Sequence, residues 1–263
     1  MARFLLEHVP TVWLGIGAVA VVAGLALLGV LLVRRSVEHS ALESHKEAAG
    51  AIFHVVGVIY AVLLAFVVVI SWEQFKSVET NAGNEAVMVG NLYREGIAFG
   101  QPGRPLRLAV QSYAHSVVYV EWNYMAKHQA ESPQTDVALN AVWHAVKGLR
   151  PRNPTEVQLV SAAIKDVGQM SEDRRTRVID STAEVPTSLW VILVFGGVIT
   201  IGFVYFLGIV GFVAQAAMVA ALASIIAVSL FVILTLDLPF TGGIAVKPDA
   251  MRSVIAAFSH QHF

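Results

Sequence analysis

From Leu189 to Leu236 the sequence contains no Asp, Glu, Lys or Arg. As one straight helix at 1.5 Å per residue this run would measure ~70 Å, more than twice the ~30 Å of a bilayer's hydrocarbon core. It must therefore fold back on itself. Gly208, Gly211 and Gln215 mark the expected turn, which gives one span over residues 189–210 and another over 214–236. Asp237, Pro239 and the "TGG" of Thr241–Gly243 end the second of these, and a short tail occupies 237–263.

Two further apolar runs precede this hairpin. Thr11–Val33, "TVWLGIGAVAVVAGLALLGVLLV", is uncharged and long enough to cross a bilayer. It exceeds the core of a secretory signal, and no small-residue cleavage site precedes Arg34 and Arg35, so a retained span is expected. Residues 48–71 form the second run, broken only by His54. The whole chain of 263 residues is 14% charged, against about 25% in soluble domains, and its mean hydropathy is +0.65. The formal net charge of −1 offers no basic face for nucleic acid. With no cysteine in the sequence, disulfides, thiolate metal sites and cysteine nucleophiles are excluded.

Residues 73–187 have a different texture. Leu106, Ala109, Tyr113, Val117, Val120 and Tyr124 recur at three- or four-residue intervals; so do Leu139, Val142, Val146 and Leu149, and then Val157, Val160, Ile164, Val167 and Met170. That period is helical, and no sustained alternation argues for strands. "NPTE" at Asn153–Glu156 is a helix start, with Asn153 as cap, Pro154 in the first turn and Glu156 at the reciprocal capping position. "GQPGRP" at Gly100–Pro105 reads as a turn and "HQAESPQT" at His128–Thr135 as a loop. The expected fold is an all-α integral membrane protein: four transmembrane helices with a helical domain inserted between the second and third. Four spans place both termini and the middle domain on one side. Arg34, Arg35 and Lys46 lie on the other side, against Arg3, Lys76, Arg94, Arg174, Arg175, Arg177, Lys247 and Arg252. The excess of basic residues near span ends predicts that the termini and the middle domain are cytoplasmic.

The second span carries the candidate site. On a helix at 100° per residue, Glu47, Gly50, His54, Gly57, Ala61, Ala65 and Trp72 fall within an arc of roughly 80°. Ile52, Val56, Ile59, Leu63 and Phe66 lie on the other side. Val58 borders this small-and-polar seam. One reading packs the seam against a neighbouring helix, since small residues let helix backbones approach in lipid, with His54 bonded to a carbonyl or hydroxyl. The other turns the seam to water, with copies from several subunits lining a pore, since an ionisable group at membrane depth faces a cavity or a partner. Glu47, at the entrance of the span, stabilises the positive end of the helix dipole or takes a ligand role there. Asp237 is a turn residue ahead of Pro239 or part of a polar cluster at the membrane boundary.

Other features carry less chemistry. His39, Glu43, His45 and Glu47 share the first loop, but their spacing matches no metal motif, and His260 and His262 in the tail offer less still. "RRTR" at Arg174–Arg177 reads as a solvated helix face, or one that meets anionic headgroups. No phosphate-cradling glycine loop, nucleophile elbow or paired-histidine protease motif is present, so no metal, cofactor or enzymatic activity is expected.

"HKEAAGAIFHVVGVIYAVLLAFVVVISWEQF" (His45–Phe75), "NEAVMVGNLYREG" (Asn84–Gly96), "YAHSVVYVEW" (Tyr113–Trp122) and "LDLPFTGGIAVKPDAM" (Leu236–Met251) resemble a bestrophin-like family of bacterial four-span membrane proteins. The resemblance implies residence in the bacterial cytoplasmic membrane and a homo-oligomer such as a pentamer. It further implies that the second span lines a passage for small ions, which the middle helices extend into the cytoplasm. Bestrophin channels narrow that passage with bulky apolar side chains. Here His54, Val58, Ala61 and Ala65 stand on the candidate face, so no gate carries over, and no acidic cluster matches their calcium clasp. The expected function is an oligomeric ion channel or channel-like pore lined by the second span. The alternative is a non-conducting, membrane-anchored scaffold or sensor whose helical domain binds a partner.

Overall fold

Backbone polar groups in hydrocarbon are satisfied within a helix or a closed barrel, and the uncharged runs of this chain take the first course. The computed structural model describes residues 9–36, 46–182, 185–207, 209 and 211–260. All regular structure among them is helical: α1 (Thr11–Ser36), α2 (Lys46–Ala98), α3 (Arg104–Ser116), α4 (Trp122–His128), α5 (Pro133–Gly148), α6 (Pro154–Thr182), α7 (Thr187–Tyr205), α8 (Phe212–Leu236) and α9 (Asp249–His260), with a 3-10 turn at Gln101–Gly103 and a π-helical turn at Val117–Glu121. Helices α1, α2, α7 and α8 are long and apolar enough to cross a membrane. Two compact units divide the chain, one from Met1–Glu73 and Glu184–Ile244, the other from Gln74–Ala183 and Ala245–Phe263.

In the first unit α1, the start of α2, α7 and α8 share a core of Ala26, Val30, Tyr60, Ile201, Val204, Val219, Ala223 and Ile226. Glycines set its close approaches. A methyl at Gly196 would stand 2.7 Å from the Tyr60 ring, and one at Gly197 would stand 3.0 Å from the Tyr60 hydroxyl. Gly29 likewise gives room to Tyr205, whose hydroxyl donates to the Ala26 carbonyl at 2.9 Å. Such small-residue contacts supply the packing that association in lipid depends on.

Polar clamps close the helix ends. Arg34 at the end of α1 donates through Nε to Gln215 Oε1 and through Nη2 to the Ile209 carbonyl, both at 2.8 Å, and its guanidinium stands 5.5 Å from the centre of the Phe212 ring. Gln215 donates in turn to the Tyr205 carbonyl at 3.2 Å. Gln215 was expected in the turn; it is instead a buried residue inside α8, and Gly211 is the cap. Helix α7 ends at Tyr205, short of residue 210, and Gly208 lies outside the described residues. At the other end of α8, Asp237 Oδ1 accepts the Val185 amide at 2.7 Å, and Thr11 Oγ1 accepts the Gly243 amide at 2.7 Å.

Helix α2 does not stop where the apolar run does. It continues to Ala98, so that its later part belongs to the second unit. A reciprocal cap starts α6: the Glu156 amide donates to Asn153 Oδ1 at 2.8 Å, and Glu156 Oε2 accepts the Arg152 amide at 2.7 Å. The second unit is built around charge. Arg177 of α6 is fully buried and donates through Nε to Glu85 Oε2 at 2.8 Å and through Nη2 to Glu121 Oε2 at 2.9 Å. Arg174, one turn earlier, holds Glu121 Oε1 at 2.6 Å and Asp136 Oδ1 at 2.6 Å. Tyr113 donates to Glu85 Oε1 at 2.7 Å, and the Arg177 guanidinium covers the Trp122 ring at 4.7 Å.

The "RRTR" reading is thus corrected. Arg174 and Arg177 continue the buried stripe of Val167 and Met170, and only Arg175 of the three arginines is exposed. The first part of the α6 stripe does not reach the core, since Val157 and Ile164 are exposed. The π-helical turn ends on Glu121, which is fully buried; such a turn inserts a residue and rotates the rest of the helix about its axis. Burial works against the Glu121 carboxylate, but Arg177 and Arg174 outweigh it and hold it below the usual carboxylate range. Burial pushes Glu85 up despite Arg177, because it shares that guanidinium with Glu121.

Removing one partner of a buried ion network leaves an uncompensated charge, at a cost of about 3–5 kcal/mol. Arg177→Met is therefore expected to destabilise the protein by about that amount, and Arg175→Met by less than about 0.5 kcal/mol. Denaturant unfolding of the detergent-solubilised protein measures both; equal effects would contradict the network's role. Glu95 of α2 supplies a pH test. Its Oε2 is buried without a hydrogen-bond partner, and burial, with the nearby Asp166 charge, pushes it up to about 7. A carboxyl with a raised folded pKa contributes stability that is complete below the ordinary carboxylate range and lost as pH rises through about 7. Glu95→Gln is thus expected to raise the melting temperature at pH above this window and to leave it nearly unchanged at acid pH.

Candidate functional site

Within the first unit α2 presents three faces. Phe53, Tyr60, Leu64 and Val67 pack against the other helices of this unit. Ile52, Val55, Ile59, Val62 and Phe66 form an exposed apolar face. The small-and-polar seam lies between them on the remaining side, centred roughly 100° round the helix from the packed side chains. The expected bulky back is therefore divided: Val56 and Leu63 are half-buried beside the packed face, and Ile52, Ile59 and Phe66 are open.

The seam side chains are not packed against other described residues of the chain. Glu47, His54, Val58, Ala61 and Ala65 are exposed. Gly50 and Gly57 are half-buried, and a methyl added at either would meet nothing within 4 Å. These glycines thus differ from Gly196 and Gly197, which a neighbouring ring fills. Among the described residues His54 makes no hydrogen bond or ion pair. Trp72, in the same arc, is also exposed. Glu47 lies in the first turn of α2.

Asp237 is not beside this seam's residues in sequence or in role. It is buried after the last turn of α8, and its carboxylate holds the backbone just before α7. The loop histidines His39 and His45, with Glu43, lie outside the described residues, as does His262. Among the described residues no group of three or more His, Asp or Glu could hold a metal ion. Sequence reading missed Glu85 and Glu121. The available signal was their pairing with the stripe that Arg174 and Arg177 continue, which only the fold brings together.

Four apolar membrane-crossing helices and a helical unit between the second and third define a multi-pass helical membrane protein. The bestrophin-like domain matches residues 20–251, and the chain belongs to the bestrophin-like family. Its fold is similar to crystal structures of a bacterial bestrophin homologue from Klebsiella pneumoniae carrying single mutations. One has a TM-score of 0.70 at 12% identity, covering 90% of this chain and 98% of that one. Another has a TM-score of 0.70 at 13% identity, covering 92% and 99%. A further similar structure is of a membrane protein, with a TM-score of 0.68 at 14% identity over 90% and 96%. At these identities the likeness carries the fold alone. Comparison with curated proteins gave no match.

Proposed function

We propose that this protein is a homo-oligomeric ion-conducting pore of the bacterial cytoplasmic membrane, lined by the seam of α2, with the termini and the middle helices in the cytoplasm. One observation carries this reading: the seam of Gly50, His54, Gly57, Val58, Ala61 and Ala65 has no packing partner among the described residues of its own chain. An imidazole at membrane depth calls for water or a polar partner, and among the described residues no carbonyl or hydroxyl bonds His54. A ring of copies turned seam-inward gives it water. Small side chains at Ala61 and Ala65 leave such a passage open, and Glu47 stands at one mouth. Membership of the bestrophin-like family and a fold shared with a bacterial bestrophin homologue support the same reading.

The scaffold reading has its own support. Tyr119, Val137 and Val157 are exposed apolar side chains of the second unit and suit a protein partner as well as a neighbouring subunit.

Purified protein in liposomes is expected to pass small ions. His54→Ala is expected to alter that conductance, because a polar side chain on the wall of a pore acts on the ions that pass it. Ion flux measured on folded, oligomeric wild type and variant decides it. An absence of flux across several anions and cations would sink the proposal and leave the scaffold.

A further inference from the structure

The second unit holds a cavity of about 310 Å³ lined by Tyr93, Gln101, Arg104, Arg107, Leu108 and Gln111. Two of its six lining residues are arginines and none is acidic. Arg104 and Arg107 stand one turn apart in the first two turns of α3. Neither side chain makes a hydrogen bond or ion pair among the described residues. Arg107 goes further: its Nε is buried and has no hydrogen-bond partner. This contrasts with Arg174 and Arg177, each of which is held by carboxylates in the same unit. Arg107 as a whole is half-buried and lines the cavity, so its guanidinium is held in place and can offer N–H donors to an oxyanion there.

The surroundings fix how Arg107 is held. Gly96 of α2 lies so close that a methyl there would stand 2.7 Å from Arg107 Cγ, so the stem of the side chain is laid against α2. The Gln111 amide donates to the Tyr93 hydroxyl at 3.4 Å, which leaves the hydroxyl proton of Tyr93 available to an acceptor. Gln101 adds a further amide, and the positive end of α3 adds a favourable field for an anion. Tyr93 is itself held by a tilted ring contact with Phe258, with ring centres 4.2 Å apart. Two guanidinium groups, two amides and a hydroxyl thus surround a space that lies within the small-ligand range of roughly 300–1,000 Å³.

We infer that this cavity binds a phosphate group, alone or as the head of a small phosphomonoester, with Arg107 and Arg104 as its principal donors. Arginine suits a tetrahedral oxyanion because its forked N–H groups meet two oxygens at once. A chloride ion would use neither the fork nor the space. The site does not depend on ion conduction, and its test does not measure conduction.

The test uses the full-length oligomer. Binding of inorganic phosphate and of sulfate to detergent-solubilised protein is measured by calorimetry and by the rise in melting temperature, with chloride as control. A second arm places the protein in phosphatidylcholine nanodiscs with and without phosphatidic acid, which separates a dissolved phosphate from a lipid headgroup. Arg107→Gln and Arg104→Gln are each expected to weaken phosphate binding by roughly tenfold or more. Gln101→Glu, which puts a negative charge into the cavity, is expected to abolish it. Unliganded melting of each variant separates lost binding from lost folding, and Arg104→Gln alters an exposed side chain and keeps the test alive if Arg107→Gln unfolds. Stabilisation by phosphatidic acid alone, lost in the same variants, assigns the site to a headgroup phosphate. Binding that survives Arg107→Gln and Arg104→Gln, equal stabilisation by chloride, or no response to phosphate, sulfate or phosphatidic acid overturns the inference.

Discussion

A polar group in hydrocarbon has to be paired or wet, and the first unit is arranged around that rule. Several hydroxyls within its spans turn back on their own helices, Thr200 to the Gly196 carbonyl, Ser224 to Ala220 and Ser229 to Ile225; Tyr205 reaches the Ala26 carbonyl of α1, and the Tyr60 and Ser71 hydroxyls are buried without a hydrogen-bond partner. Arg34 satisfies a carbonyl beyond α7 and the Gln215 amide oxygen, so a charge at a span end fastens the α7–α8 connection. Asp237 does the same at the opposite end of α8 through the Val185 amide. His54 obeys no such arrangement. It sits in a span, exposed, beside glycines that no described residue fills, and the pore proposed above gives it water.

The second unit reverses the economy of the first. Its interior holds Glu85, Glu121, Arg174 and Arg177 nearly or fully out of water. Each charge meets at least one opposite charge with hydrogen-bond geometry. Buried networks of this kind contribute less to stability than equivalent apolar packing, yet losing one member is severe. They also specify which helices meet. Glu85 comes from α2, Glu121 from the π-helical turn and the arginines from α6, so the network registers three separate segments against one another.

Much of this was legible in the sequence. The four apolar runs, the helical middle block and the Asn153–Glu156 cap arise from hydropathy, period and capping chemistry, which are local properties. The seam was legible for the same reason: it is a periodicity within one helix. Three things were not. Helix α2 runs on to Ala98 although the apolar pattern ends near Trp72, because helix continuity does not require apolar residues. Arg174 and Arg177 read as a solvated face because their partners lie 53 and 92 residues away in sequence. And the π-helical turn shifts the register just where Glu121 must turn inward, an event with no signature in period alone.

Conduction requires α2 to turn its small-residue side to water in the assembled protein. The chain has no cysteine, so a single introduced thiol reports its own surroundings. The decisive measurement is the rate at which a water-soluble thiol reagent modifies Ala61→Cys and Ile59→Cys in membrane-embedded oligomers. Ala61→Cys is predicted to react readily and Ile59→Cys, on the exposed apolar face, to react slowly. Protection at residue 61 with rapid modification at residue 59 would contradict a pore lined by this side of α2.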